Sequence, residues 1–134
     1  MAGPLTLLAF DYGTRRTGVA VGNTLLRRAQ PLATLVAEGD AVFAEAEPLI
    51  RQWLPAALVV GIPLHPDGAA HENTRRAERF ARRLGGRFGL PVHRVDERYS
   101  TTEALSGGAR GEAADAAAAA ILLEQYFREH HAAA

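Results

Sequence analysis

The 134 residues carry 48% hydrophobic side chains, 15 acids and 15 arginines against no lysine, for a formal net charge of zero, and there is no cysteine. This fits one domain, residues 1–134, with a real core; it excludes a disulfide framework, a thiolate metal site and a thiol nucleophile, and it gives no global pull toward nucleic acid or membrane. No apolar run approaches the ~18 residues of a bilayer span, and MAGPLTLLAFD lacks the basic region and cleavage site of a signal peptide, so a cytoplasmic protein with no membrane partner is expected.

Pro4 to Asp11 is apolar on both faces, as in a central strand covered on both sides. A short Gly-Thr-Arg-Arg link leads to a second strand, Thr17 to Asn23, in a hairpin. Gln30 to Glu38 predicts a third strand, with Pro31 at its entry, where a missing N–H does least harm. Asp40 to Trp53 has helical spacing, with Asp40 as its cap and Pro48 inside it. Ala57 to Pro63 is a continuous apolar strand. His71 to Phe88 is the cleanest helix, Val92 to Arg98 a strand, and Tyr99 to Leu105 a short helix. After the flexible SGGARG, a last helix runs from about Glu112 to His130. The order predicts a mixed α/β sheet covered on both faces.

Three acids stand out. Asp11 ends a fully covered strand, a costly place for a carboxylate unless it is solvated, paired or bound to a cation. It also suits a turn cap, or a partner for Arg15 or Arg16. On the last helix Asp115, Ala118, Ala119, Leu122, Leu123 and Tyr126 fall on one stripe, which turns Asp115 toward the sheet. The helix macrodipole accounts for an acid in the first turn but not for its inward aim. Asp96 and Glu97 close a strand at the end where ligands gather in α/β sheets, and alternation lets only one of them point at a given face. Ser100 and Glu103 have the spacing of a capping box and read as structure.

Acids at element ends, with no zinc spacing among the five histidines, suit Mg²⁺ or Mn²⁺. A pair of such ions ~4 Å apart supports phosphodiester hydrolysis. Arginines mark the surroundings: Arg15 and Arg16 beside Asp11, Arg98 beside Glu97, and a face of the second helix carrying Arg75, Arg79 and Arg82. Arg76, Arg83 and Arg87 fan to one side of that face, and Ala77, Phe80, Ala81, Leu84 and Phe88 lie opposite. Guanidinium groups suit phosphate contacts.

Taken together, LAFDYGTRRTGVAVG, LVVGIPLHPDG, GRFGLPVHRVDERYSTTEA and DAAAAAILLEQYF resemble the YqgF/RuvX family over nearly the whole chain. The resemblance implies a ribonuclease H-like fold, a five-stranded mixed sheet flanked by helices on both faces. It also implies a metal-dependent nuclease whose catalytic and metal-holding acids are Asp11, Glu97 and Asp115, so it favours Glu97 over Asp96. The family is described both as the nuclease that matures the 5′ end of pre-16S ribosomal RNA and, by likeness to RuvC, as a Holliday-junction resolvase. The partners implied are structured RNA or branched DNA, and symmetric junction cleavage calls for a homodimer. The chain departs from the pattern at Gly61, where RuvC-type resolvases place an acid, and in a short Ser106–Asp115 stretch. A phosphate-binding hairpin of the actin-like ATPase kind also resembles DYGTRRTGVAVG, but such proteins need two domains around the nucleotide. A non-catalytic nucleic-acid-binding or ribosome-assembly module is the other alternative.

Overall fold

Alternation along five strands decides what each face of this protein carries. The computed structural model describes residues 3–64, 71–97 and 111–130. Its elements run β1 (Thr6–Asp11), β2 (Arg16–Asn23), β3 (Ala29–Val36), α1 (Ala41–Trp53), β4 (Ala57–Ile62), α2 (Glu72–Phe88), β5 (Val92–Asp96) and α3 (Gly111–Glu129). The sheet order is β3-β2-β1-β4-β5. The first three strands form an antiparallel meander, and β4 and β5 add in parallel on the other side of β1. This is the expected mixed sheet, with helices on both faces.

One face holds the larger core. Leu8 and Phe10 of β1, Val19 and Val21 of β2, and Leu58, Val60 and Ile62 of β4 pack there against Val42 and Phe43 of α1 and Ala77, Phe80 and Leu84 of α2. The alternate residues, Leu7 and Ala9 of β1, Ala57 and Val59 of β4 and Val95 of β5, meet Leu122, Leu123 and Phe127 of α3 on the other face. The alanine run of α3 serves close approach, because Ala119 and Ala120 lie directly on Ala20. Gly18 carries this furthest. A Cβ there would overlap the Asp115 carbonyl and the Ala116 nitrogen, so the first turn of α3 rests on the bare backbone of β2.

Boundaries shift by one or two residues from the sequence reading. Pro31 lies within β3 and is tolerated because β3 is an edge strand. The register jumps from Val19↔Ala33 to Ala20↔Pro31 and leaves Leu32 as a bulge. β5 ends at Asp96, although the Glu97 N–H still donates to Ile62 O at 3.2 Å and extends the pairing by one residue. Asp40 precedes α1 but makes no side-chain capping bond. Its carboxylate turns instead to Arg83 of α2, 2.7 Å away, because a guanidinium offers a charged partner that the helix N–H groups do not. α2 starts one residue late with His71 as its cap. The His71 imidazole accepts from Asn73 N–H and Thr74 Oγ1 accepts from His71 N–H. The predicted helix at Tyr99–Leu105 and most of the SGGARG break lie outside the described residues. No helix among the described residues is long and apolar enough to cross a membrane.

Candidate active site

Parity brings the acids together. Asp11 is two residues beyond Ala9 and therefore leaves β1 on the α3 face. Glu97 is two residues beyond Val95, which packs on that same face, so Glu97 points there and Asp96 to the opposite side. With β1, β4 and β5 parallel, the tips of β1 and β5 lie at the same end of the sheet, separated by β4 alone. The gap between them is Gly61. A Cβ on Gly61 would collide with the Glu97 carboxyl and with Leu122 Cδ1. The position at which RuvC-type resolvases carry an acid is thus filled here by the carboxyl of Glu97.

The Asp11 and Glu97 carboxyls share a hydrogen bond. Two carboxylates this close and this poorly hydrated cannot both ionise readily. Burial, with the neighbouring Asp11 charge adding to it, pushes Glu97 up to about 10. Burial also raises Asp11, and Asp115 adds repulsion, while the hydrogen bond from Glu97 works in the opposite direction. The two groups titrate as a coupled pair, with Glu97 the one held protonated at neutral pH.

Asp115 stands beside this pair. Its Oδ2 lies 2.9 Å from Arg16 Nε, with the arginine about half exposed and the carboxylate 25% exposed. Burial raises its pKa and Arg16 pulls it back. Arg16 reaches it because Arg16, Gly18 and Ala20 share a parity on β2, the face that α3 covers. Thr34 Oγ1 donates to Glu112 O and fastens the same first turn of α3 to β3. Arg16 therefore pairs with Asp115 and not with Asp11.

Two oxygens stand out. Glu97 Oε2 and Asp115 Oδ2 are buried with no hydrogen-bond partner among the described residues, the contact of Asp115 with Arg16 being an ion pair without hydrogen-bond alignment. Buried carboxylate oxygens without a donor are costly. Among the described residues, no three Asp, Glu, His or Cys are grouped tightly enough to enclose a metal ion. The arrangement is a carboxyl pair with a third acid held to one side by an arginine. An oxygen-only donor set with one orphaned oxygen, Glu97 Oε2, fits a hard divalent cation, which would take few protein ligands and complete its shell from water and phosphate.

The acids open onto a hollow of about 340 Å³ that Asp11 and Glu97 line together with Gly13, Thr14, Asn73 and Arg76. A second hollow, of about 270 Å³, shares Tyr12, Thr14 and Arg76 with the first and adds Arg79 and Arg83. On the other flank, Arg15 and Arg16 line a shallow depression with Val36 and Glu38. Of the α2 arginines, Arg76 lines the hollow of the acids, and Arg79 and Arg83 line the one beside it. Arg75 and Arg82 are exposed on α2 and line neither of the two hollows beside β1, and Arg98 lies outside the described residues. The apolar arc of Ala77, Phe80, Ala81 and Leu84 faces the sheet as expected, and the rotation of the helix about its axis decides which arginines line the hollows. Phe80 sets it by stacking on Tyr12 at 4.6 Å and on Phe43 at 5.6 Å between ring centroids. A clue lay in the sequence: Arg76, Arg79 and Arg83 recur at i, i+3 and i+7, flanking the apolar arc that must face the sheet.

Residues 5–129 match the family described as RuvX: Holliday junction resolvase. The chain belongs to the RuvX family. A protein of Polaromonas sp. (strain JS666 / ATCC BAA-500) is 64% identical over 127 residues, 95% of this chain and 91% of that relative, and carries the name "Putative pre-16S rRNA nuclease". A relative of the same name from Paraburkholderia phytofirmans is 54% identical over 91% of this chain and 87% of its own length. Among solved structures, Thermus thermophilus RuvC in complex with a Holliday junction substrate superposes with a TM-score of 0.60 at 16% identity, covering 95% of this chain and 96% of that one. The likeness shows the fold of this RuvX-family chain to be ribonuclease H-like.

Proposed function

We propose that this protein is a divalent-metal-dependent endonuclease that cleaves phosphodiester bonds in structured RNA, at the 5′ end of pre-16S rRNA, with Asp11, Glu97 and Asp115 as its acids. The observation that carries the reading is the Asp11–Glu97 carboxyl pair at the tips of β1 and β5, partly buried beside an open hollow that Arg76 also lines. Such a pair costs folding free energy and serves no packing purpose, a common mark of a reactive site. The names of the relatives at 64% and 54% identity support the substrate.

Asp11 and Glu97 would hold Mg²⁺ or Mn²⁺, and Glu97 would give up its proton in doing so. Such ions, as a pair, supply a water activated for attack on phosphorus and charge stabilisation at the leaving oxygen. Asp115 would complete the ligand set, its carboxylate aimed by Arg16. Arg15 and Arg16 on one flank, and α2 with Arg75, Arg79, Arg82 and the nearer Arg76 on the other, would hold the phosphates on either side of the scissile bond; Arg98 would add to them. Positioning by fixed cations lowers the entropy cost of bringing phosphate and acids together.

A second reading, resolution of four-way DNA junctions, is favoured by the description of the family, and paired nicks would then require a homodimer. Labelled precursor RNA carrying its 5′ leader and a labelled four-way DNA junction, incubated side by side with the purified protein and Mn²⁺ or Mg²⁺, separate the two. Cleavage of the leader, abolished by chelation, is the expected result. Symmetric nicking of the junction alone would move the protein to recombination, and binding with no cleavage of either would make it a binding module.

A further inference from the structure

The basic hollow next to the acids has a composition that the proposed chemistry alone does not require. Between the β1–β2 turn and α2 it gathers three arginines, Arg76, Arg79 and Arg83, one acid, Asp40, and the Tyr12 ring. Its volume of about 270 Å³ is near the lower end of small-ligand sites, ~300 Å³. It adjoins the acid-lined hollow at Tyr12, Thr14 and Arg76, which border both.

The parts are fixed in place. Arg83 lies over the Phe43 ring at 4.9 Å, and Arg87 lies over the same ring at 5.6 Å. Tyr12 is stacked on Phe80 at 4.6 Å with the rings 22° apart, and this half-buried ring borders both hollows. The odd member is Asp40. It makes no helix-capping bond, it is exposed, and its carboxylate lies 2.7 Å from Arg83. The hydrogen bond from Arg83, with the charges of Arg79 and Arg87 behind it, holds that carboxyl below its ordinary range. Three guanidinium fields thus converge where one carboxylate sits. A carboxylate in the focus of an arginine cluster occupies the position a phosphate would take.

We infer that this hollow seats one nucleotide of the substrate strand, its phosphate on Arg76 and Arg79 and its base against Tyr12, and that Asp40 competes with that phosphate for the cluster. The substrate class rests on the nuclease reading; the seat itself rests on the geometry. A strand with one phosphate at Asp11 and Glu97 would place its neighbouring nucleotide here, because the two hollows adjoin. Aromatic support suits an unpaired base, which offers a π face that a base inside a duplex does not. Asp40 lowers the affinity of the seat for every phosphate, and so weakens retention of strands that fail to fill the rest of the site.

Fluorescence anisotropy of labelled leader RNA tests this in chelator, so that binding is read without cleavage. Affinity is measured across a salt series for the full-length protein and four variants. Arg76→Ala and Arg79→Ala should each weaken binding about 3- to 10-fold and reduce the salt slope by roughly 0.7, one phosphate contact on a single strand. Asp40→Asn should tighten binding about 3-fold at low salt and steepen the slope. Arg51→Ala, on α1 and paired with Glu47, should match wild type. Circular dichroism confirms that these exposed substitutions leave the fold intact. Wild-type slopes in all four variants, weaker binding by Asp40→Asn, or no binding by the wild-type protein would each overturn the seat. The nuclease reading fails separately: a chain that shows the predicted pattern and cuts nothing keeps the seat and loses the catalysis. A chain that cuts normally with Arg76, Arg79 and Asp40 replaced keeps the catalysis and loses the seat.

Discussion

Asp11→Asn should lower cleavage of the RNA leader by more than about 100-fold and leave leader binding in chelator undiminished. Loss of a group that only orients a metal ligand costs about 10- to 100-fold, and Asp11 is placed as a ligand itself. The same substitution should make the metal-free protein more stable. At present Glu97 is pushed up to about 10 by burial and by the charge of Asp11. A carboxyl whose folded pKa lies above its unfolded value contributes stability that is complete below the ordinary carboxylate range and is lost as pH rises toward the folded pKa. The metal-free wild type should therefore lose thermal stability steadily between about pH 5 and pH 9. Asn at position 11 removes the like charge, so the slope should flatten and the melting temperature at pH 8 should rise by about 3 °C. Melting curves at several pH values, with cleavage assayed on the same preparations, check both halves. A variant that loses activity but melts lower than wild type throughout would mean that Asp11 serves the fold.

Gly18→Ala should have the largest effect on stability of any glycine-to-alanine change among the described residues. The new Cβ would meet the Asp115 carbonyl and the Ala116 nitrogen, which are backbone atoms of a helix and have no rotamer to yield. α3 must lift from β2 as a body, and overpacking of this kind costs about 3 kcal/mol, the upper part of its usual range. Because Arg16 and Asp115 lie on either side of the same contact, the third acid moves as the helix lifts. The expected result is a fall in melting temperature of about 10 °C together with loss of cleavage. Gly86→Ala is the matched control. A Cβ at Gly86 meets nothing within 4 Å, and Gly86 lies within α2, so alanine there should be neutral or should stabilise by up to about 1 kcal/mol. Equal melting temperatures for the two variants would disprove the close approach of α3 to β2.

Much of this was legible in the residues. The apolar continuity of β1 and β4 announced central strands, and the stripe from Asp115 to Tyr126 announced which side of α3 meets the sheet, because burial enforces periodicity. The choice between Asp96 and Glu97 needed tertiary information. Alternation shows that they diverge, and only the packing of Val95 against Leu122 and Leu123 says which of them joins Asp11. Gly61 read as a missing acid because a sequence cannot show that a neighbouring strand's carboxyl fills the space. Asp40 read as a helix cap because local rules see the next turn and not Arg83, 43 residues away. Which α2 arginines line the two hollows was not legible for a similar reason. Charge pattern finds a basic helix, whereas its rotation depends on where Phe80 seats.

Calorimetric titration of Mn²⁺ into the protein at pH 7, in buffers of different ionisation heat and with Glu97→Gln alongside, tests the central claim most directly. Burial and the neighbouring Asp11 charge push the Glu97 carboxyl up to about 10, so a cation that binds it at pH 7 must expel its proton. The wild type should therefore bind and release about one proton, seen as a heat that varies with the buffer, and Glu97→Gln should lose both the affinity and the buffer dependence. Binding by Glu97→Gln equal to that of the wild type, or no binding by either, would contradict the assignment of these acids as a metal-dependent hydrolytic centre.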